Sequence, residues 1–217
     1  VKTQDRLISS AEILRQKLGY RGYLHLKIMP GSERSQVERA MMLADRISIN
    51  LEAPNEVRLG RLAPQKDYWK ELITPLKWAE EIRKSSPQEL TWKGRWPSLT
   101  TQFVVGAAGE TDLELLSTSE YLFRQLRLAR TYFSVFNPVS DTPLENQPPE
   151  NPTRQLRLYQ SAFLLRDYGY TLEDFNFETG GFLPLGLDPK KAWAEQNLCN
   201  QPVEINKADR AQLLRIP

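Results

Sequence analysis

Cysteine and histidine are almost missing: the 217 residues hold one of each, Cys199 and His25. A single cysteine excludes an internal disulfide and any all-cysteine metal site, so no metal ligand set is assigned within the chain. It fits a reducing compartment, and the expected location is the cytoplasm. An excess of one charge is missing too. Lysine and arginine number 29 against 27 acids, a net charge of +2. That balance encodes no general attraction to nucleic acid, yet leaves room for a local basic patch. No apolar run is long enough to cross a bilayer, and the N-terminus lacks a signal-peptide layout, so no membrane partner is expected. There is no initiator methionine at Val1, and Arg215-Ile216-Pro217 stops without a closing element; both ends read as cuts. What is present is ordinary for a soluble globular protein. Hydrophobic residues make up 40% and charged residues 26%, enough to bury a core. Oligomeric state is not legible in any of this.

Hydrophobic periodicity predicts helices over 3–19, 33–45, 55–62, 67–85, 112–129, 153–168, 171–176 and 190–197. Strands are predicted over 23–29, 46–52, 101–105 and 132–136. Residues 86–99 read as a loop, and 138–152, with five prolines, as a long ordered or gated one. Strands alternating with helices point to a parallel α/β sheet with right-handed crossovers. The first two strands are split by face. Leu24, Leu26 and Ile28 oppose Tyr23, His25 and Lys27; Ile47, Ile49 and Leu51 oppose Ser48, Asn50 and Glu52. A sheet buried on both faces would be apolar throughout. The split predicts helices on one side only and polar contents on the other, as in a barrel or part-barrel.

Four constellations could carry chemistry. Asn50 and Glu52 end the second strand, where barrel active sites sit; a carboxylate there suits ribose hydroxyls or an ammonium group. Equally, Glu52 could pair with an arginine such as Arg58. Gly106-Ala107-Ala108-Gly109-Glu110, between a strand and a helix, lets backbone approach a ligand or simply makes a tight turn. His25 and Lys27 share the polar face of the first strand, with Ser48, Gln102 and Phe136 as further lumen candidates; a lone inward histidine is more often structural. In the segment 203–217, Asn206 is a candidate helix N-cap, and Ala208, Leu213 and Leu214 form an apolar side. Among basic features, Arg124, Arg127 and Arg130, and likewise Arg154 and Arg157, recur every three residues, as on a face that meets phosphates or, more often, on a solvated helix face. Trp92-Lys93-Gly94-Arg95-Trp96 pairs aromatics with cations, as a nucleic-acid contact or a packed flap would.

Several of these blocks resemble one family. Ile49-Asn50-Leu51-Glu52 looks like the ribose-binding strand of radical S-adenosylmethionine enzymes. Val104 to Thr111 resembles a Val-Gly-x-Gly-Glu-Thr stretch of biotin synthase-like enzymes, with one extra residue between the glycines. Gly22 to Gly31, Leu51 to Glu56, Arg61 to Asp67 and Thr100 to Glu110 resemble the biotin synthase-related radical S-adenosylmethionine family of DNA modification and repair. Ile205-Asn206-Lys207-Ala208 through Leu213-Leu214-Arg215-Ile216-Pro217 resembles the first helix of a helix-hairpin-helix motif, which holds a DNA phosphate on backbone amides.

The resemblance implies a partial (β/α)6 TIM-like barrel in which the four strands are the third to sixth. It implies a part-barrel over 1–140, an extension packed on it over 141–202, and a truncated helix-hairpin-helix over 203–217. It implies an enzyme that cleaves S-adenosylmethionine reductively with a 4Fe–4S cluster, giving a 5′-deoxyadenosyl radical that abstracts hydrogen from substrate. Asn50, Glu52, Gly106, Gly109 and Glu110 would bind S-adenosylmethionine, His25 and Lys27 would line the substrate side, and no catalytic residue is assigned. Lys207, Arg210 and Arg215, with Trp92 and Arg95, are the nucleic-acid candidates, and DNA is the expected partner. The cluster motif C-x-x-x-C-x-x-C is absent, is expected upstream of Val1, and its absence implies a chain inactive alone. Two competing readings are a non-catalytic DNA-binding module and a radical enzyme acting on a small metabolite.

Overall fold

A computed structural model describes residues 1–199 and 203–217; the expected boundary at 202 lies outside the described residues. The described residues form eight α-helices and a four-stranded parallel sheet in the order β1-β2-β3-β4. The strands are β1 (His25–Lys27), β2 (Arg46–Ser48), β3 (Ser98–Val105) and β4 (Arg130–Val135). Parallel register sets His25 beside Arg46 and Arg46 beside Ser98, then Lys27 beside Ser48 and Ser48 beside Thr100. The predicted α/β class and consecutive strand order are therefore present. β3 and β4 begin earlier than expected, at Ser98 and Arg130.

Two compact units divide the chain. The first is Val1–Phe103 with Leu122–Tyr132. The second is Val104–Tyr121 with Phe133–Pro217.

In the first unit, α1 (Lys2–Glu12) packs on α2 (Arg34–Leu43), and α2 packs on α4 (Thr74–Ser85). Ile8 and Ala11 are the buried apolar residues of α1, whereas Leu7 is exposed. The core joins Leu26, Ile28, Ile47, Ile49 and Leu99 with Val37, Ala40, Met41, Leu72 and Leu76. A capping box starts α2: the Gln36 side chain accepts from the Glu33 N–H at 3.0 Å, and Glu33 caps in return. Asn55 caps α3 (Glu56–Leu62) by accepting from the Arg58 N–H. The helix predicted over 67–85 has a π-helical first half, Tyr68–Ile73. Pro75 explains it. Proline has no N–H to give the carbonyl four residues back, and its ring crowds that carbonyl. The wider turn, in which the Thr74 N–H reaches the Trp69 carbonyl, accommodates both.

In the second unit, α6 (Pro152–Asp167) packs on α7 (Pro189–Asn197). α5 (Asp112–Leu126) begins in this unit and ends in the first. Leu115, Leu116, Phe133, Leu158, Tyr170, Phe175 and Leu183 are buried here. The terminal helix α8 is shorter than expected, Arg210–Arg215. Its cap is Asp209, in a capping box with Gln212, and not Asn206. Asn206 and Lys207 instead form a turn held by Glu204.

Candidate functional site

The two faces of the sheet differ as the alternation predicts. In β1, Leu26 is buried between exposed His25 and Lys27. Strand alternation places Arg46, Ser48, Ser98, Thr100, Gln102, Arg130 and Tyr132 on that same polar face. Several of them join. The His25 Nε2 lies 2.9 Å from the Ser48 hydroxyl. Arg46 donates from Nε to Ser98 Oγ at 3.2 Å and from Nη1 to the Tyr132 hydroxyl at 2.9 Å. Burial first, then the charges of Arg46 and Lys27, hold the His25 imidazole below its usual pKa. Thr100 is buried, and its Oγ1 has no hydrogen-bond partner.

Beyond the last ladder pair, β2 continues as an irregular edge. The Leu51 N–H donates to the Thr101 hydroxyl instead of a carbonyl, and pairing resumes when the Glu52 N–H reaches the Gln102 carbonyl at 2.9 Å. Asn50 donates weakly to Gln102 Oε1 at 3.5 Å. Glu52 itself has φ +63°, a left-handed conformation that costs a non-glycine residue about 1–3 kcal/mol. Among the described residues, none pairs with or hydrogen-bonds its half-buried carboxylate, so the pairing with Arg58 weighed from the sequence is not formed. The strain is thus coupled to a carboxylate that has no structural partner.

In the second unit, Gly106 to Glu110 form a tight turn around the Glu110 side chain. The Glu110 carboxylate is buried and accepts from the N–H groups of Gly106 and Ala108. Gln147 donates to the carbonyls of Gly106 (2.6 Å) and Ala107 (3.2 Å), so the proline-rich segment is ordered over the turn. Gly106 has φ +93°, and a Cβ there would fall 2.5 Å from Glu150 Oε2. Gly109 is exposed. The Phe136 N–H extends the β3–β4 pairing to the Val105 carbonyl. Arg154, read from the sequence as part of a solvated stripe, is instead a buried hub. It contacts Asp112 at 2.7 Å, Glu150 at 2.5 Å and the Glu110 carbonyl at 2.7 Å. Burial would lower its pKa, but Asp112 and Glu150 outweigh that and raise it.

The nucleic-acid candidates separate. Arg95, Lys207 and Arg210 are exposed. Trp92 is packed: the Arg15 guanidinium stacks 3.4 Å from its ring centre and Lys93 Nζ lies at 4.2 Å. Arg15 also donates to the Leu43, Tyr20 and Gly22 carbonyls and to Asp45. These groups, with Glu12 and Arg39, line a cavity of about 660 Å³ in the first unit, whose cations are largely paired internally: Arg15 and Lys93 with Asp45, Arg39 with Glu12. Arg215 is anchored too. It pairs with Asp174 at 3.2 Å and lies over the Tyr170 and Trp193 rings. Burial raises the Tyr170 phenol to about 12.

Sequence reading passes over Arg46 and Glu150. Both carry a signal: Arg46 has the parity of Ser48 and Asn50, and Glu150 precedes Arg154 by one helical turn. Compared with known proteins, the chain matches no family model, and no curated relative matches it.

Proposed function

We propose that this chain is the S-adenosylmethionine- and substrate-holding part of a radical enzyme acting on DNA, with its four parallel strands forming part of an open barrel. Glu52 carries the reading. A carboxylate on strained backbone, without a partner among the described residues and just past the end of a parallel strand, is spent on no structural task. The donor set fits S-adenosylmethionine, whose ribose hydroxyls and ammonium group need acceptors: Glu52 offers two carboxylate oxygens and Asn50 an amide. When bound, S-adenosylmethionine supplies hydrogen-abstraction chemistry to such an enzyme.

The residues present do not fit a 4Fe–4S cluster. Cys199 offers one thiolate, and no group of three or more potential ligands is placed to hold a metal among the described residues. The roles left to this chain are binding and orientation: Asn50 and Glu52 toward the cofactor, the polar sheet face toward substrate, exposed Lys207 and Arg210 toward DNA phosphates.

Calorimetry tests the carrying observation. Glu52→Ala should weaken S-adenosylmethionine binding by about tenfold or more, the scale of a charge-assisted hydrogen bond. Unchanged affinity would remove the assignment. Fluorescence anisotropy with duplex DNA should show affinity falling with salt, and a shallower slope in Lys207→Ala. Binding indifferent to salt would favour the small-metabolite enzyme.

A further inference from the structure

We infer that the polar face of the sheet in the first unit is a phosphate-binding surface, with Arg46 as its anchor and Lys27 and Arg130 beside it. Three cations share this face by strand parity, and none has a carboxylate partner among the described residues. The nearest acid in sequence, Asp45, is committed elsewhere, to Arg15 at 2.9 Å and Lys93 at 2.6 Å. Arg46 is half-buried; its two hydrogen-bond partners, Ser98 and Tyr132, are neutral hydroxyls, and its remaining contact is the Tyr23 ring, 5.8 Å away. A guanidinium withdrawn from water without an anion is costly, and a fork held open by hydroxyls is the arrangement that receives a tetrahedral oxyanion.

A second observation stands apart from the charges. Thr100 is 1% exposed, yet its Oγ1 has no partner, and the register sets it beside Ser48 on this face. A buried hydroxyl left unsatisfied marks a place where a ligand or water supplies the missing bond. His25 has Ser48 as its partner at 2.9 Å, and the nearby charges of Arg46 and Lys27 oppose its protonation. Three cations and several hydroxyls suit a phosphate better than a carboxylate, which one arginine satisfies. Identifying that phosphate with one on a nucleic-acid strand rests on the function proposed above; the anion surface does not.

The sole histidine gives the test its reporter, because its Cε1–H resonance is the single one of its kind in the chain. Inorganic phosphate, thymidine 5′-monophosphate, thymidine and a short single-stranded oligothymidylate are titrated in turn. The expected result is a saturable shift of the His25 resonance with the three phosphate-bearing probes and none with thymidine. The His25 pKa should rise on saturation, since bound phosphate offsets Arg46 and Lys27. Arg46→Ala should weaken the monophosphate about tenfold or more, with Arg46→Lys recovering part of the loss. Arg130→Ala, at an exposed position, tests the surface without disturbing the core. Tighter binding of the oligonucleotide than of the monophosphate assigns the site to a strand; the reverse assigns it to a free nucleotide. An unmoved His25 resonance, or thymidine and its monophosphate binding alike, overturns the inference. If phosphate binds but S-adenosylmethionine does not, the proposed function fails and this surface stands; the opposite pattern removes only the surface.

Discussion

Glycine is required at Gly106 for two separate reasons, the φ of +93° and the Glu150 side chain packed where a Cβ would stand. Gly60 meets neither: it sits exposed in α3, and a Cβ added there would meet nothing within 4 Å. Gly106→Ala should therefore destabilise by about 2 kcal/mol or more, while Gly60→Ala should stabilise by about 0.5–1 kcal/mol. Urea midpoints of the two variants check both signs. His25 gives a residue-level pH dependence. Its folded-state pKa is lowered, by burial first and then by Arg46 and Lys27. The unfolded chain thus binds this proton more readily than the folded one. The related stability is complete above the unfolded value of about 6.5 and is lost as pH falls from there toward the folded pKa. Between pH 7.5 and 5.5 the urea midpoint of the wild type should fall further than that of His25→Gln. An equal fall in both would show that the imidazole is not destabilised by charging.

Among the elements, α8 shows what an anchoring side chain does to a short helix. Six residues are too few to hold a helix in water. Arg215 supplies the missing tertiary contact by pairing with Asp174 and lying over Tyr170 and Trp193. The apolar side formed by Ala208, Leu213 and Leu214 does not account for this, since Leu213 is exposed; the hold is ionic and aromatic, and a hydrophobic pattern does not reveal it. Asp174→Ala should speed amide exchange across 210–215 about tenfold or more, with α6 unchanged, by exchange mass spectrometry. Retained protection would assign the hold to the rings alone. Elsewhere the elements are legible wherever local chemistry decides them: Pro-Gly-Ser after β1, Asn55 before α3, strand parity over 23–28 and 46–51. What is not legible comes from distance. The ladder break at Leu51 and the closing of the glycine turn by Gln147 depend on atoms brought together by the fold. So does Glu52, whose residue type is plain in the sequence but whose left-handed backbone and unpaired carboxylate are not.

For the whole molecule, the chain passes between the two compact units inside β3, α5 and β4, at residues 103/104, 121/122 and 132/133. A boundary that falls inside three regular elements leaves no linker at which the chain could melt on one side alone. One cooperative transition is expected. Trp69, Trp78, Trp92 and Trp96 lie in the first unit and Trp193 in the second. In Trp193→Phe, fluorescence reports the first unit alone while circular dichroism reports both. The two curves should coincide in urea; separate midpoints would mean units that unfold independently. The order of folding follows from the register. Leu24 and Asp45 meet across 21 residues, so β1, α2 and β2 can close early as one crossover. Arg46 and Ser98 meet across 52 residues, and the β2–β3 ladder must wait for α3 and α4 to be threaded between them. During synthesis, β2 therefore leaves the ribosome with one edge unpaired and keeps it so until β3 follows. That edge carries Arg46 at its start, and a cation on an open strand edge discourages pairing with the same edge of a neighbouring nascent chain.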